Sequence, residues 1–290
     1  MYGSVLSVLL MGLLPMAGAP SADHVALGNL SIAAPLPLTA SSSTLHSLAT
    51  RVSASGMLIT DLESAQSILE LRADVRRPMG SLTKLMTALL IAEGHGMRET
   101  VTVPEGIERV QGSVVSLRAG ERYAVGDLLS LLLVASANDV AHTFAVFHSG
   151  SDDAFAQEMN VRAAALGLRN TSYANPSGFD DPEQWSTPRD LAWLASFVLR
   201  NAQVRKRLSL PAVTVRSAGG RTLTVHNTHA LLQEPGPVVA GKTGTTEEAG
   251  QCLLSVVREG RREYVVVLLG SLERYADMRL VLEALRSFLV

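Results

Sequence analysis

The order of secondary-structure patterns along this 290-residue chain constrains its fold more than any other feature. Patterns typical of β-strands cover residues 55–61 and 67–71, and strand patterns return only between residues 212 and 269. The sequence between them is mostly helical in pattern. Strands from the two ends can share one sheet only if the middle of the chain forms an insertion. We therefore expect an α/β (α+β) fold with a sheet built from both chain ends and a helical insertion.

The individual elements follow from hydrophobic periodicity and from turn residues. The last predicted helix, residues 275–289, is amphipathic and contains Glu283 with few cations, so we expect it to pack on the sheet rather than on a membrane. The other predicted helices cover residues 82–92, 125–134, 140–147, 153–166 and 188–201, and the later strands cover residues 212–216, 221–225, 238–243, 252–258 and 263–269.

The N-terminal residues resemble an export signal. An apolar run at residues 5–14 is followed by small residues, which predicts a signal peptide over residues 1–22. The run is too short to span a bilayer, so no stable membrane anchor is predicted. No Lys or Arg precedes Arg51, which leaves a mis-assigned start or an uncleaved hydrophobic tail as alternatives. We expect an exported protein of the periplasm or cell envelope.

The segment after the predicted signal has the composition of a linker. Residues 23–48 are rich in Ser, Ala, Pro and Thr, which cannot by themselves form a packed core. We therefore predict one folded domain over residues 49–290, which is long enough to bury a substantial core.

Charge and cysteine content exclude several functional classes. The formal net charge is −2 and no basic stripe is present, so nucleic acid is not an expected partner. The single cysteine, Cys252, excludes an intramolecular disulfide and a cysteine-based metal cluster, and its apolar surroundings predict a buried structural thiol. We expect no cofactor and no metal in the functional site.

Lysine is used sparingly, and two of the three lysines lie in short polar motifs. Ser81 lies where a predicted helix begins, and Lys84 lies three residues later on the same face, so its amine can reach the Ser81 hydroxyl. A neutral Lys84 could take the hydroxyl proton if its pKa fell by roughly 3 units from about 10.4. Burial and a nearby cation such as Lys242 would lower it. Taken alone, the pattern also fits a helix-capping serine followed by a solvated lysine.

Two further motifs carry complementary groups. Ser136 and Asn138 frame a tight turn before a helix, where a hydroxyl and an amide can relay a proton and hold a substrate amide. At the end of a predicted strand, Lys242 with the hydroxyls of Thr243 and Thr245 could bind an anion such as a substrate carboxylate.

The third motif also supplies backbone groups. Gly244 would allow the backbone to approach a substrate closely. The backbone N–H groups of Ser81 and Thr245 could form an oxyanion hole. Either of the later motifs alone could be an ordinary cap or turn. In this order, however, the three match the Ser-x-x-Lys, Ser-x-Asn and Lys-Thr-Gly signature of penicillin-interacting serine enzymes.

Over residues 53–289 the chain resembles the D-alanyl-D-alanine carboxypeptidase family of low-molecular-weight penicillin-binding proteins. The resemblance implies a β-lactamase/transpeptidase-like fold with an antiparallel sheet flanked by helices. It extends well beyond the catalytic triplets, through residues 80–88 (GSLTKLMTA), 136–141 (SANDVA), 175–179 (NPSGF), 227–232 (NTHALL), 241–246 (GKTGTT) and 249–250 (AG).

This resemblance implies a reaction and a set of roles. The expected activity is cleavage of the terminal D-Ala-D-Ala bond of peptidoglycan stem peptides, through an acyl-enzyme on Ser81 with Lys84 as general base. By the same resemblance, Ser136 and Asn138 assist proton transfer and substrate placement, and Lys242, Thr243 and Thr245 receive the terminal carboxylate. β-Lactams would acylate Ser81 and act as inhibitors.

The chain also departs from the family pattern. Ala137 replaces a glycine that is common in these carboxypeptidases, and His229 and Ala230 replace an Asn and a basic residue. The chain ends 46 residues after Gly244, which resembles the single-domain DD-endopeptidases that cut peptide cross-links. Carboxypeptidase and endopeptidase activity therefore both stay open.

Three other readings are weaker. A class A β-lactamase would need a Glu-x-x-Leu-Asn motif, which Glu158 does not provide. A non-catalytic wall-binding module would not be expected to keep Ser81, Lys84 and Lys242. The seven histidines show no partner pattern, and none is predicted to be catalytic or to bind metal.

Overall fold

The computed structural model of the chain describes residues 42–289. The predicted signal peptide and residues 23–41 of the predicted linker lie outside the described residues. Helix α1 (Ser42–Arg51) occupies the rest of the predicted linker, and its Leu48 is buried in a hydrophobic cluster with residues of the sheet and of the last helix. Helix α1 therefore continues across the predicted boundary between residues 48 and 49, in a segment whose composition is typical of a linker.

A five-stranded antiparallel sheet forms the centre of the fold, as predicted from the two ends of the chain. Its strand order is β2-β1-β9-β8-β7, so the two N-terminal strands pair with the C-terminal hairpins through β1 and β9. The strands are β1 (Gly56–Asp61), β2 (Ser67–Leu71), β7 (Val238–Thr246), β8 (Gly250–Glu259) and β9 (Arg262–Ser271).

Both faces of this sheet are buried, which explains why its central strands are almost continuously apolar. Along β9, Val265 and Val267 belong to a core shared with the helical insertion, whereas Val266 and Leu268 belong to a second core with α1 and the C-terminal helix. Side chains alternate between the two faces of a strand, so each strand must be apolar at nearly every position to cover both cores.

The helical insertion lies between β2 and β7, and all of its helices except the last match predicted helices. Its helices are α2 (Lys84–Gly94), α3 (Val125–Val134), α4 (Asn138–Ser149), α5 (Asp152–Ala165), α6 (Pro188–Arg200) and α7 (Ala202–Leu208). Two small hairpins accompany them, namely β3 (Thr100–Thr102) with β4 (Arg122–Ala124), and β5 (Ala212–Arg216) with β6 (Thr222–His226).

The hairpins differ from the prediction in two respects. The short strands β3 and β4 are too brief to produce a recognisable alternation, and the sequence did not indicate them. The strands β5 and β6 were correctly located, but they form their own two-stranded sheet and do not join the central one.

The C-terminal helix packs on the sheet, as its apolar face predicted. Helix α8 (Arg274–Leu289) buries Met278, Val281 and Leu285 in the second core. Within residues 42–289, no helix has both the length and the apolar composition needed to cross a membrane.

Candidate active site

The nucleophile candidate and the base candidate meet where the insertion begins. Ser81 lies in a 3-10 turn, Gly80–Thr83, and Lys84 is the first residue of α2. The Lys84 Nζ lies 3.1 Å from the Ser81 Oγ, so the spacing of three residues brings the two groups together as predicted. Ser81 is partly accessible to solvent, whereas Lys84 is fully buried.

Two fixed acceptors complete the surroundings of the Lys84 amine. Its Nζ donates to Asn138 Oδ1 over 2.7 Å and to the backbone carbonyl of Ser177 over 2.5 Å. These two oxygens can only accept hydrogen bonds, since the Asn138 Nδ2 is itself a donor to the Gln111 carbonyl at 2.8 Å. A neutral amine has two N–H groups, so both are used and its lone pair remains for the Ser81 hydroxyl.

The electrostatics of the pocket favour that neutral amine. Burial lowers the pKa of Lys84 well below its usual value, and the positive charge of Lys242 lowers it further. The Asp139 carboxylate acts in the opposite direction, but it accepts backbone N–H bonds from Val115 and Leu117 and forms no ion pair with Lys84. The Lys84 amine is therefore arranged to accept a proton.

The second motif lies on a bend between α3 and α4. Ser136 has a φ of +60°, an uncommon conformation for a residue with a side chain, and it is almost fully buried. Strained backbone of this kind persists where the surroundings hold it firmly. Here the turn directs the Ser136 hydroxyl to Lys242 and the Asn138 amide to Lys84, which are the two lysines of the pocket.

Lys242 lies in β7, the edge strand that faces the helical insertion. Its Nζ donates to Ser136 Oγ at 2.7 Å and to the backbone carbonyl of Thr243 at 2.8 Å. It forms no salt bridge with an acid of residues 42–289. Burial lowers its pKa to about 7, and the nearby Arg274 guanidinium contributes to that shift.

Gly244 allows the strand to come into contact with the nucleophile turn. A Cβ at this position would lie 2.8 Å from the Met79 carbonyl oxygen and 3.0 Å from the Ser81 backbone nitrogen. A Cβ on Gly80 would lie 3.1 Å from the Thr245 nitrogen. The Ser81 and Thr245 N–H groups therefore lie close together, as an oxyanion hole requires.

The hydroxyls of the third motif are already held by neighbours. Thr243 Oγ1 shares a 2.6 Å hydrogen bond with Thr228 Oγ1, and Thr245 Oγ1 accepts from Arg274. Arg274 also donates to the Gly244 carbonyl at 2.8 Å and to the Cys252 carbonyl at 3.0 Å. This arginine, at the start of α8, adds a second cation to the predicted carboxylate site. The sequence analysis missed it because nothing near it in the sequence marks it.

The loop at residues 175–179 supplies an acceptor that sequence analysis did not assign. The Asn175 side-chain oxygen accepts the backbone N–H groups of Ser177, Gly178 and Phe179, and this fixes the turn that presents the Ser177 carbonyl to Lys84. Gly178 has a φ of +92°, and a Cβ there would lie 2.1 Å from the Gly80 carbonyl oxygen. Only glycine fits at this contact.

His229 lies behind the strand and does not enter the pocket. Side chains alternate along β7, and a Cβ at Gly241 would lie 2.4 Å from the His229 ring, so the ring is on the face opposite Lys242. His229 is fully buried, its Nε2 shares a 2.8 Å hydrogen bond with Ser255, and burial lowers its pKa to about 4. It is therefore neutral above that pH and supports the strand from behind.

The structure thus gathers all eight predicted site residues around one cleft. Acyl transfer to a serine requires a nucleophile, a neutral amine, an oxyanion site and a cationic group that binds the substrate carboxylate. The Ser177 carbonyl, the Gln111 carbonyl, Thr228 and Arg274 are additions that depend on the tertiary structure.

Comparisons with known proteins agree with this arrangement. The sequence model of the D-alanyl-D-alanine carboxypeptidase family, peptidase S11, matches residues 42–272. The D-alanyl-D-alanine carboxypeptidase DacF of Bacillus subtilis is 29% identical over 223 residues, which are 75% of this chain and 57% of that protein. The D-alanyl-D-alanine endopeptidase of Pseudomonas aeruginosa is 30% identical over 223 residues, which are 75% of this chain and 71% of that protein.

A solved structure shows the same fold. The crystal structure of the Streptomyces K15 DD-transpeptidase superposes with a TM-score of 0.76 and 26% identity, and the match covers 80% of this chain and 97% of that one. The shared domain therefore occurs in proteins named for carboxypeptidase, endopeptidase and transpeptidase activity. Because the family model covers most of the sequence, the chain belongs to the D-alanyl-D-alanine carboxypeptidase family.

Proposed function

We propose that this chain is a serine-type carboxypeptidase that removes the terminal D-alanine from peptidoglycan stem peptides ending in D-Ala-D-Ala. The observation that carries the proposal is the Lys84 amine, whose two N–H groups are taken by Asn138 and Ser177 while its lone pair faces the Ser81 hydroxyl. Family membership supports the same activity.

In the first half of the reaction, the Ser81 oxygen attacks the carbonyl carbon of the D-Ala-D-Ala bond while Lys84 takes the hydroxyl proton. The developing oxyanion would lie between the backbone N–H groups of Ser81 and Thr245. When the tetrahedral intermediate collapses, the C–N bond breaks and the leaving amine receives a proton. The Ser136 hydroxyl, hydrogen-bonded to Lys242, can deliver that proton, and the proton that Lys84 took from Ser81 balances the loss.

In the second half, a water molecule attacks the acyl-enzyme. Lys84 accepts the water proton, and the ester bond to Ser81 breaks to release the shortened peptide and restore the hydroxyl. The same amine therefore serves both steps, which requires that it return to its neutral form after each one.

The strand motif would recognise the substrate by its free carboxylate. Lys242 has no acidic partner within residues 42–289, and Arg274 lies beside Thr245, so two cations are available to one anion. A free C-terminus therefore binds better than an amide. β-Lactams, which carry an equivalent carboxylate and a reactive carbonyl, would acylate Ser81 as inhibitors.

Endopeptidase activity is the second candidate, and it is favoured by the Pseudomonas aeruginosa relative named for it. The same catalytic groups can cut a cross-linking peptide bond if the cleft accepts a longer leaving group. β-Lactamase activity has less support, because the sequence lacks the Glu-x-x-Leu-Asn motif and the Glu158 side chain is hydrogen-bonded to His148 and Ser149.

The location of the protein is also a proposal. A substrate in the cell wall and the signal-like residues 1–22 together favour export to the periplasm or cell envelope. Secretion of a fusion between residues 1–48 and a periplasm-dependent reporter would test this, and a fusion that stays in the cytoplasm would contradict it.

Mass spectrometry of defined muropeptides tests the activity. Wild-type protein should remove one alanine from pentapeptides and should form a covalent adduct with a fluorescent penicillin, and Ser81→Ala should do neither. Conversion of dimeric muropeptides to monomers without loss of alanine would show that the protein is an endopeptidase and not a carboxypeptidase. A penicillin adduct that persists in Ser81→Ala would refute the assignment of Ser81 as the nucleophile.

A further inference from the structure

Two histidines that the catalytic site does not use face each other at the far ends of the active-site helices. His95 directly follows α2, and His148 is near the C-terminal end of α4. The His95 Nε2 lies 2.8 Å from the His148 Nδ1. The remaining ring nitrogens each contact a glutamate, with His95 Nδ1 3.0 Å from Glu99 and His148 Nε2 3.0 Å from Glu158. No sequence pattern indicates this pairing.

When both imidazoles are neutral, these four groups lack one hydrogen-bond donor. Two neutral imidazoles carry two N–H groups in total. The three contacts, however, join four ring nitrogens and two carboxylates, and they need three donors. If each ring gives its N–H to its glutamate, the two nitrogens that face each other both present lone pairs.

The rings are held in this orientation by packing. His95 stacks at a tilt on Phe147 with ring centroids 4.5 Å apart, and His148 meets the edge of Phe155 at 5.5 Å. A Cβ at Gly94 would lie 3.0 Å from the His148 ring, so the helix end also confines that ring. Each histidine side chain keeps 16% of its surface exposed, which leaves room for water molecules to approach.

We propose that His95 and His148 form a binding site for a divalent transition metal ion of the zinc class, between Nε2 of the first ring and Nδ1 of the second. Imidazole nitrogen is a preferred ligand of these ions. A carboxylate on the distal nitrogen of each ring is the arrangement that orients and strengthens metal-binding histidines. Both features occur here in each of the two histidines.

The geometry requires a small adjustment. With Zn–N distances of about 2.0–2.1 Å and tetrahedral angles, the two nitrogens would be about 3.3 Å apart, or roughly 0.5 Å more than their present separation. No third ligating side chain converges on the same point among residues 42–289, so water would complete the coordination. A site with two protein ligands should bind in the micromolar range, not as tightly as a structural zinc site with four.

A bound ion would join three helices. His95 follows α2, His148 belongs to α4 and Glu158 belongs to α5, while the opposite ends of α2 and α4 carry Lys84 and Asn138. Helix α2 has 11 residues and is therefore about 16 Å long, which places the ion well away from the reaction. The ion links the helices and takes no part in acyl transfer.

Isothermal titration calorimetry with zinc chloride tests the site on the full chain. Wild-type protein should bind one Zn²⁺ in the micromolar range through these rings and should show a higher melting temperature with the ion. His95→Gln and His148→Gln should each weaken binding at least tenfold. Glu158→Gln, which keeps both ligands and changes only the distal partner, should weaken it by about tenfold.

His142→Gln is the matched control, because His142 is also a partly exposed histidine of α4 with a carboxylate partner, Asp152, but has no facing imidazole. Its affinity should stay within twofold of the wild type. Penicillin labelling of Ser81 in each variant reports that the protein is still folded. Absence of binding below 1 mM Zn²⁺, or an affinity equal to that of the wild type in penicillin-labelled His95→Gln and His148→Gln proteins, would overturn the proposal.

Discussion

The two walls of the active-site cleft hold their lysines in different ways. In the helical wall, which consists of Ser81, Lys84, Ser136 and Asn138, the Lys84 amine contacts groups from three separate parts of the chain. In the strand wall, residues 242–245, the Lys242 amine contacts its own strand and a single hydroxyl from the helical wall.

This difference assigns catalysis to the helical wall and substrate binding to the strand wall. The helical wall surrounds a lysine with neutral acceptors and leaves its lone pair for the nucleophile, which suits a base. The strand wall holds a lysine next to Arg274 with no acid within residues 42–289 to neutralise it, which suits the binding of an anion. The walls meet at the 2.7 Å hydrogen bond between Lys242 and Ser136, so proton transfer can pass between them.

The largest effect should come from the base. Lys84→Gln keeps a polar side chain but removes the proton acceptor, and we expect acylation to slow by about 10³-fold or more. The loss should be similar for peptides with a free or an amidated C-terminus, because this wall does not contact the carboxylate. Stopped-flow measurement of penicillin acylation, with single-turnover peptide assays, checks this. A loss confined to substrates with a free carboxylate would break the distinction between the walls.

A smaller and more selective effect is expected from the strand wall. Lys242→Gln should reduce kcat/KM by about 10²-fold for peptides with a free terminal carboxylate, because a charged hydrogen bond is lost in a buried pocket. Amidated peptides should lose less than tenfold. Steady-state kinetics on the paired substrates measures the ratio, and equal losses on both would remove the anchoring role from Lys242.

Replacement of Arg274 tests the strand wall through the pH dependence of kcat/KM. Catalysis needs Lys84 neutral and Lys242 charged, so activity should rise as Lys84 loses its proton and should fall as Lys242 loses its own near pH 7. Arg274→Gln removes a repulsive cation and should raise the pKa of Lys242, which moves the alkaline limb of the kcat/KM profile to higher pH. We expect kcat/KM to fall by about tenfold at neutral pH. An unmoved alkaline limb would show that Arg274 does not act on Lys242.

The last prediction concerns stability rather than catalysis. The folded state lowers the pKa of Lys242 to about 7, whereas the unfolded chain keeps it near 10.5, so the unfolded state binds more protons between these values. The free energy of unfolding of the wild type should therefore rise with pH across that range, and this contribution should be absent from Lys242→Met.

At pH 7 the free energy of unfolding of Lys242→Met should exceed that of the wild type by about 2 kcal/mol. This value is what is left after the loss of the hydrogen bonds to Ser136 and Thr243 has offset part of the gain. Urea denaturation at several pH values measures both quantities. A Lys242→Met protein that is less stable than the wild type at pH 7 would show that the buried amine stabilises the fold.

Local spacing explains why the sequence could place several candidate site residues next to one another. Ser81 and Lys84 are three residues apart at the start of a helix, and residues 242–245 are consecutive on one strand, so their mutual geometry follows from the regular backbone. The helix and strand periods likewise predicted most elements of the insertion and the sheet. The composition of residues 42–48 did not indicate helix α1, because composition does not reveal a buried side chain such as Leu48.

The sequence alone determined the class of fold, the eight candidate site residues and the resemblance to a penicillin-binding enzyme, because these depend on short-range patterns. Only the tertiary structure decided which acceptors take the Lys84 protons, where Arg274 lies and that His95 faces His148. Those contacts join residues 29 to 93 positions apart. No local pattern specifies such pairs, since they arise only when buried helices and strands close around one another and each polar group must find a partner.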